Sequence, residues 1–285
     1  MPFLKNIYFL FLFLIISHPV FAGGWPQPKG GYYLKLSEWW IVSDQHFDRV
    51  GMIQPNIVEY GYYATSLYAE YGLSKKLTGF INFPFINYTY TVLPASMLKQ
   101  SVWKTGDADI GMKYAFVIDN PIVASASFIL GIPSGHTESN ALKTGDGEFN
   151  QLLRVDASGG FTILSSNGWL NLYTGYNHRT QNYSDEIQYG FEVGMDISKD
   201  KLSVTLRLEG INALGDDENA VDINPQSLFS NHKEYMSLSP EIAYHISPSW
   251  GTTIGVGTAL SGKNIFANPT FTIGIFHKSV FQNTY

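Results

Sequence analysis

The chain has 285 residues, a formal net charge of −6 and only 15% charged side chains, against the roughly 25% of an ordinary soluble domain. Aromatic residues reach 15% and cysteine is absent, which excludes a disulfide framework and a lipid-bearing cysteine. The acidic balance gives no basic patch on which a nucleic acid could be held.

At the N-terminus, Lys5 is the only charge before Lys29, and an apolar run follows from Ile7 to Ile16. His18-Pro19 breaks the run, and Val20-Phe21-Ala22 supplies a small residue at each position that a signal peptidase reads. Residues 1–22 therefore read as a signal peptide removed after Ala22, because the apolar run falls short of the about 20 residues of a membrane anchor. The remainder, 23–285, carries no composition shift or linker and reads as one domain. No later apolar run is long enough for a membrane helix. An exported, aromatic-rich chain of this kind is either a secreted β-sandwich or a barrel with an apolar outside and a wet inside.

Four segments alternate strictly. In 107–118, Asp107, Asp109 and Lys113 oppose Ile110, Met112, Tyr114 and Phe116. In 153–163, Arg154, Asp156 and Ser158 oppose Val155, Ala157 and Phe161. In 187–197, Glu192 and Asp196 oppose Tyr189, Phe191 and Val193; in 201–209, Arg207 and Glu209 oppose Val204, Leu206 and Leu208. Period two gives one polar and one apolar face to each strand.

The connections choose between sandwich and barrel. Short turns at 73–76, 119–121, 165–168, 198–200 and 247–249 alternate with longer polar stretches at 43–56, 93–105, 132–148, 181–185, 214–234 and 261–268. Five short and six long connections join twelve strands. That is the pattern of an all-β, single transmembrane antiparallel up-and-down β-barrel with periplasmic termini and outward loops. A sandwich has no reason to alternate in this way.

Three stretches carry a family resemblance. Glu70-Tyr71-Gly72-Leu73 followed by Leu77-Thr78 resembles a hairpin found in many outer-membrane proteins. Gly131-Ile132-Pro133-Ser134-Gly135 with Thr144-Gly145-Asp146-Gly147-Glu148, and Gly24-Trp25-Pro26-Gln27-Pro28 near the start, resemble the transporter-like family named for the MetA pathway of phenol degradation, most of all its XagA variant. The resemblance implies an outer-membrane barrel that passes or binds small molecules. It assigns no substrate.

If the apolar parity faces lipid, the lumen is lined by Lys113, Asp107, Asp109, Arg154, Asp156, Arg179, Glu192, Arg207, Glu209 and Glu241. Opposed charges of this kind either orient a polar solute or neutralise one another and fill the bore. The tight turns set a register that puts Glu192 opposite Arg207, Arg154 beside Arg179, and Asp156 beside Asn177. Inward Tyr68, Phe80, Tyr173 and Phe276 either line a path for a hydrophobic or aromatic solute or fill space beside inward glycines. Trp25, Tyr32, Trp39, Trp40, Tyr71, Trp169 and Trp250 fall near strand ends and suit interfacial girdles. The last strand is expected over 268–278, with an extension to Tyr285 as the alternative.

The function read from these residues is a passive channel for small solutes, or else a closed barrel acting through its loops. An outer-membrane lipid hydrolase needs a Ser–His pair, for which His277 with Ser279 is the one loose candidate, so the chain is not read as an enzyme. Asp216-Asp217-Glu218 and Asp146 with Glu148 offer hard oxygens to calcium but lack an EF-hand spacing, so no metal and no cofactor is expected. The partners expected are membrane lipid, the machinery that inserts barrels into the outer membrane, and a small-molecule solute.

Overall fold

The structure, a computed structural model, describes residues 23–93, 95–137, 142–198, 201–215 and 223–280. The expected signal peptide, the alternative strand end at 281–285 and the acidic run Asp216-Asp217-Glu218 lie outside the described residues.

Twelve long strands close on themselves: β1 (Tyr32–Phe47), β2 (Ile53–Gly72), β3 (Leu77–Leu93), β5 (Ala108–Val117), β6 (Ile122–Ile132), β7 (Asn150–Ile163), β8 (Ser166–Arg179), β9 (Glu186–Ser198), β10 (Leu202–Ala213), β11 (Glu234–His245), β12 (Trp250–Lys263) and β14 (Thr270–Lys278). Two short strands are added, β4 (Leu98–Lys104) and β13 (Ile265–Phe266). Each strand pairs antiparallel with its neighbours, and β1 closes the ring between β2 and β14. Closure leaves no edge along the barrel, so its backbone groups find partners without water.

Burial is inverted relative to a soluble protein. Lys113, Asp156, Ser158, Asn171 and Arg179 are buried inside, whereas Leu36, Ile110, Met112, Phe116, Leu153, Leu172, Ile254 and Ile273 are exposed on the outer wall. A bare apolar belt around a polar interior makes this a membrane-spanning barrel of the outer-membrane type. Inward rings lie across inward glycines of the next strand: a Cβ on Gly111 would meet the Phe80 ring at 2.2 Å, and one on Gly251 would meet Phe276 at 2.2 Å.

The loop end departs from the expectation in three places. The stretch 43–56 is mostly strand, because β1 and β2 run on to Phe47 and Ile53 and leave a tight turn at 48–52. The stretch 93–105 contains β4, which continues the β5 side of the β3 ladder in the same register: Asn82 pairs with Asp109, and Asn87 with Lys104. Pro84, with no N–H to donate, sits in the gap, and only its carbonyl is used, accepting from Gly106 N at 2.7 Å. The stretch 261–268 contains the end of β12 and all of β13.

One register differs from expectation. β7 and β8 meet through a two-residue turn at Leu164 and Ser165, both at positive φ. Arg154 therefore lies opposite Gly175, Asp156 opposite Tyr173, and Arg179 opposite Asn150. A four-residue turn was expected, so the ladder slides by an even number of residues, and the inward faces are kept while the partners change. Glu192 lies opposite Arg207.

Candidate functional site: the barrel lumen

The charged lumen residues form five groups. On one wall, Glu241 accepts from Lys35 Nζ at 2.9 Å and from Arg207 Nη2 at 3.3 Å, and Arg207 Nε donates to Glu192 at 2.6 Å. Trp169 Nε1 donates to the other Glu192 oxygen at 2.8 Å. Trp169 therefore faces the lumen rather than an interfacial girdle, sharing the inward parity of Asn171 and Tyr173. Trp39 is inward as well, edge-on to Tyr62 with centroids 5.8 Å apart. Trp250 is exposed and packs on His277, centroids 4.5 Å apart, as a girdle residue does.

On the adjoining strands, Arg154 forks onto Asp156, with Nη2 to Oδ1 at 2.6 Å, and its guanidinium lies 3.7 Å over the Tyr173 ring. Tyr173 donates to Glu209 at 3.1 Å. Lys113 stands 3.6 Å from Glu70. Asp109 accepts a long 3.5 Å bond from Asn82.

At the loop end, Arg179 is clamped by three carboxylates: Asp146 at 2.8 Å, Glu148 at 2.8 Å and Glu186 at 2.7 Å. Asp146 and Glu148 thus hold a guanidinium. Asp107 accepts from Gly135 N at 2.8 Å and from Asp146 N at 3.0 Å, tying both described arms of the β6–β7 connection, 133–137 and 142–149, to the wall. Burial, then the Asp146 carboxylate beside it, pushes the Asp107 pKa up to about 7.

Both ends of the lumen are obstructed by chain that is not wall. At the turn end, residues 23–28 run inside the barrel as a strap. Gly24 N donates to Ser158 Oγ at 2.9 Å, Gln27 N to Thr78 Oγ1 at 2.8 Å, and Gln27 Nε2 to Glu70 at 2.6 Å. Lys113 Nζ donates to the Gly23 and Trp25 carbonyls at 2.6 and 3.3 Å. Glycine is required here, since a Cβ on Gly24 would lie 2.7 Å from Ser158 Oγ. Trp25 belongs to this strap. At the loop end, Leu228 and Phe229 fold inward against the buried cluster of Ile41, Tyr60, Tyr62, Ala64 and Phe266.

Between the obstructions lie three cavities. One of about 460 Å³ holds Lys113, Asp109, Arg154, Asp156, Glu192, Arg207 and Glu209 on its wall. One of about 320 Å³ shares Asp109 and Arg154 with it and adds Arg179, Glu186 and Lys233. A third, of about 370 Å³, shares Glu209 with the first and Lys233 with the second. Reading strands alone did not reveal the strap or Lys233. The signal for the strap was the Gly-Gly and alternating-proline stretch of 23–28, an extended segment with no strand partner.

No family model matches the chain, and no curated protein does. Among solved structures it is similar to an outer-membrane channel from Pseudomonas putida F1, with 13% identity, 93% of this chain and 100% of that one covered, and a TM-score of 0.64. It is also similar to the NanC porin, with 11% identity, 86% and 100% covered, and a TM-score of 0.50. These likenesses concern the fold of an outer-membrane barrel.

Proposed function

We propose that the chain is a passive outer-membrane channel for small solutes, held closed by the strap at its turn end and by the inward-folded loop at the other. The observation that carries this reading is the lumen itself. Three cavities share wall residues, and what blocks the turn end is a segment that is not wall and is bound mainly through its own backbone. Most ions of the wall are paired with one another, Asp109, Glu209 and Lys233 excepted, so a solute meets mainly dipoles and neutralised pairs. The lumen residues predicted from alternation are the wall of that path in this reading.

The XagA-like resemblance is part of the proposal and rests on the Gly24–Pro28 and Gly131–Gly135 motifs. The former is the strap, and the latter supplies the amide that Asp107 holds. Hydrolase chemistry is not part of it. The His277 ring packs on Tyr32 and Trp250, and Ser279 Oγ is bonded to the Tyr32 amide at 3.0 Å. Insertion machinery is expected to act on a last strand that ends at Lys278.

The test is planar-bilayer conductance of the full chain and of a form lacking 24–29. The expected result is little conductance from the full chain and clear single-channel steps from the shortened one. A shortened barrel that is folded by heat-modifiable mobility yet silent overturns the channel in favour of a closed barrel acting through its loops.

A further inference from the structure

The cavity of about 370 Å³ differs in kind from the other two. Five rings line it: Trp39, Tyr62 and Phe229 stand edge to face, with centroid separations of 5.8 and 5.7 Å, and Tyr235 and Phe266 join them, beside a hydroxyl-bearing side formed by Ser237, Ser239, Thr258 and Thr270. Edge-to-face rings leave a slot in which another ring finds both faces and edges, worth about 0.5–1.5 kcal/mol per aromatic pair beyond burial. The volume lies in the usual range for a small-molecule pocket, about 300–1,000 Å³, at its small end.

Two charges stand where this slot meets the polar cavities. Glu209 lines the junction with the 460 Å³ cavity, and Lys233 the junction with the 320 Å³ cavity. Elsewhere the lumen cations are consumed: Arg207 by two carboxylates, Arg179 by three, Arg154 by Asp156. Among the described residues Lys233 makes no ion pair, and the one bond to the Glu209 carboxylate comes from the Tyr173 hydroxyl at 3.1 Å. An aromatic-sided slot ending on one uncommitted ammonium and one half-used carboxylate matches a ligand with a ring at one end and both charges at the other.

We propose that this vestibule is a selectivity site for a zwitterionic aromatic solute, an aromatic amino acid in chemical class. The ring enters the Trp39–Tyr62–Phe229 slot, its carboxylate meets Lys233, and its ammonium meets Glu209. A ligand with only one of these charges leaves the opposite protein charge facing an apolar ring, which costs more than it gains. The proposal rests on the channel reading for its meaning as selectivity, while the binding itself is measured without flux.

The experiment uses the full chain in detergent micelles and equilibrium dialysis with three probes: L-phenylalanine, 3-phenylpropionate and phenethylamine. L-Phenylalanine is expected to bind at least tenfold more tightly than either singly charged probe. Lys233→Gln and Glu209→Gln are each expected to remove that preference, while leaving heat-modifiable mobility unchanged. Equal binding of all three probes, or a preference that survives both substitutions, overturns the site. Conductance of the form lacking 24–29 separates the two claims: steps without the phenylalanine preference refute this site alone, and the preference without steps supports the site while removing the channel.

Discussion

Asp107 and Glu38 show how single side chains carry consequences beyond their strands. Asp107 joins the wall to the loop arms 133–137 and 142–149 through two amides, and its pKa is pushed up to about 7, first by burial and then by Asp146. A carboxyl raised in the folded state takes up a proton on folding, so its contribution is fully present below the ordinary value of about 4 and lost as pH rises through 7. The amides of Gly135 and Asp146 are therefore expected to exchange hydrogen more slowly at pH 5 than at pH 8, after correction for intrinsic rates. Asp107→Asn should flatten that difference, and an unaltered pH dependence in the variant would dissociate the loop from this carboxyl. Glu38 lies on the outward parity of β1, between Leu36 and Trp40 and opposite Ile273, where its carboxylate accepts from Thr65 Oγ1 at 2.6 Å. A charge on the lipid face of a barrel is unfavourable, more mildly for Glu than for Lys or Arg. Glu38→Leu is expected to raise stability by about 1–2 kcal/mol, read from the urea midpoint of refolding into lipid vesicles. A destabilised variant would mean that the Thr65 bond outweighs the lipid cost.

The elements divide into those that alternation specifies and those it does not. The strands around Ile110–Phe116 and Leu202–Leu208 were legible because each side chain declares a face, and faces survive small slips of register. Pairing across β7 and β8 was not legible, since Ser165–Gly168 reads as a four-residue turn until Leu164 and Ser165 are seen at positive φ. Trp39 and Trp169 were misplaced for a related reason: position near a strand end suggested a girdle, yet parity turns both rings inward. The strap escaped altogether, because a segment without hydrophobic periodicity gives no sign of where it lies, and its contacts with Ser158, Thr78 and Lys113 are far away in sequence. Its fit against the wall depends on Gly24, whose Cβ would come within 2.7 Å of Ser158 Oγ and 2.9 Å of the Asp156 Cβ. Gly24→Leu should dislodge the strap without shortening the chain. Single-channel steps are expected to appear at a frequency between those of the full chain and the form lacking 24–29, and a silent Gly24→Leu beside a conducting deletion would show that the strap tolerates a side chain there.

At the scale of the whole molecule, the barrel is polar at its axis and apolar at its rim, and its two ends are unequal. The turns 73–76, 118–121, 164–165 and 246–249 crowd one end together with Gly30 and Lys278, while the stretches 133–137, 142–149 and 223–233 fold over the other. Long segments fold inward only where wall side chains receive them, as Asp107, Arg179 and the Tyr60–Tyr62 cluster do. Outer-membrane barrels keep their short turns on the periplasmic side and their longer connections outside, which sets the short end toward the periplasm. The absence of cysteine makes the orientation directly measurable. Val50→Cys places a thiol in the tight turn 48–52 at the loop end, and Lys75→Cys places one in the turn 73–76; both positions are exposed. On intact cells a membrane-impermeant maleimide is expected to label Val50→Cys and to spare Lys75→Cys until the outer membrane is permeabilised. The reverse pattern would invert the barrel, put the strap at the outer mouth, and turn the aromatic vestibule from an entry site into an exit.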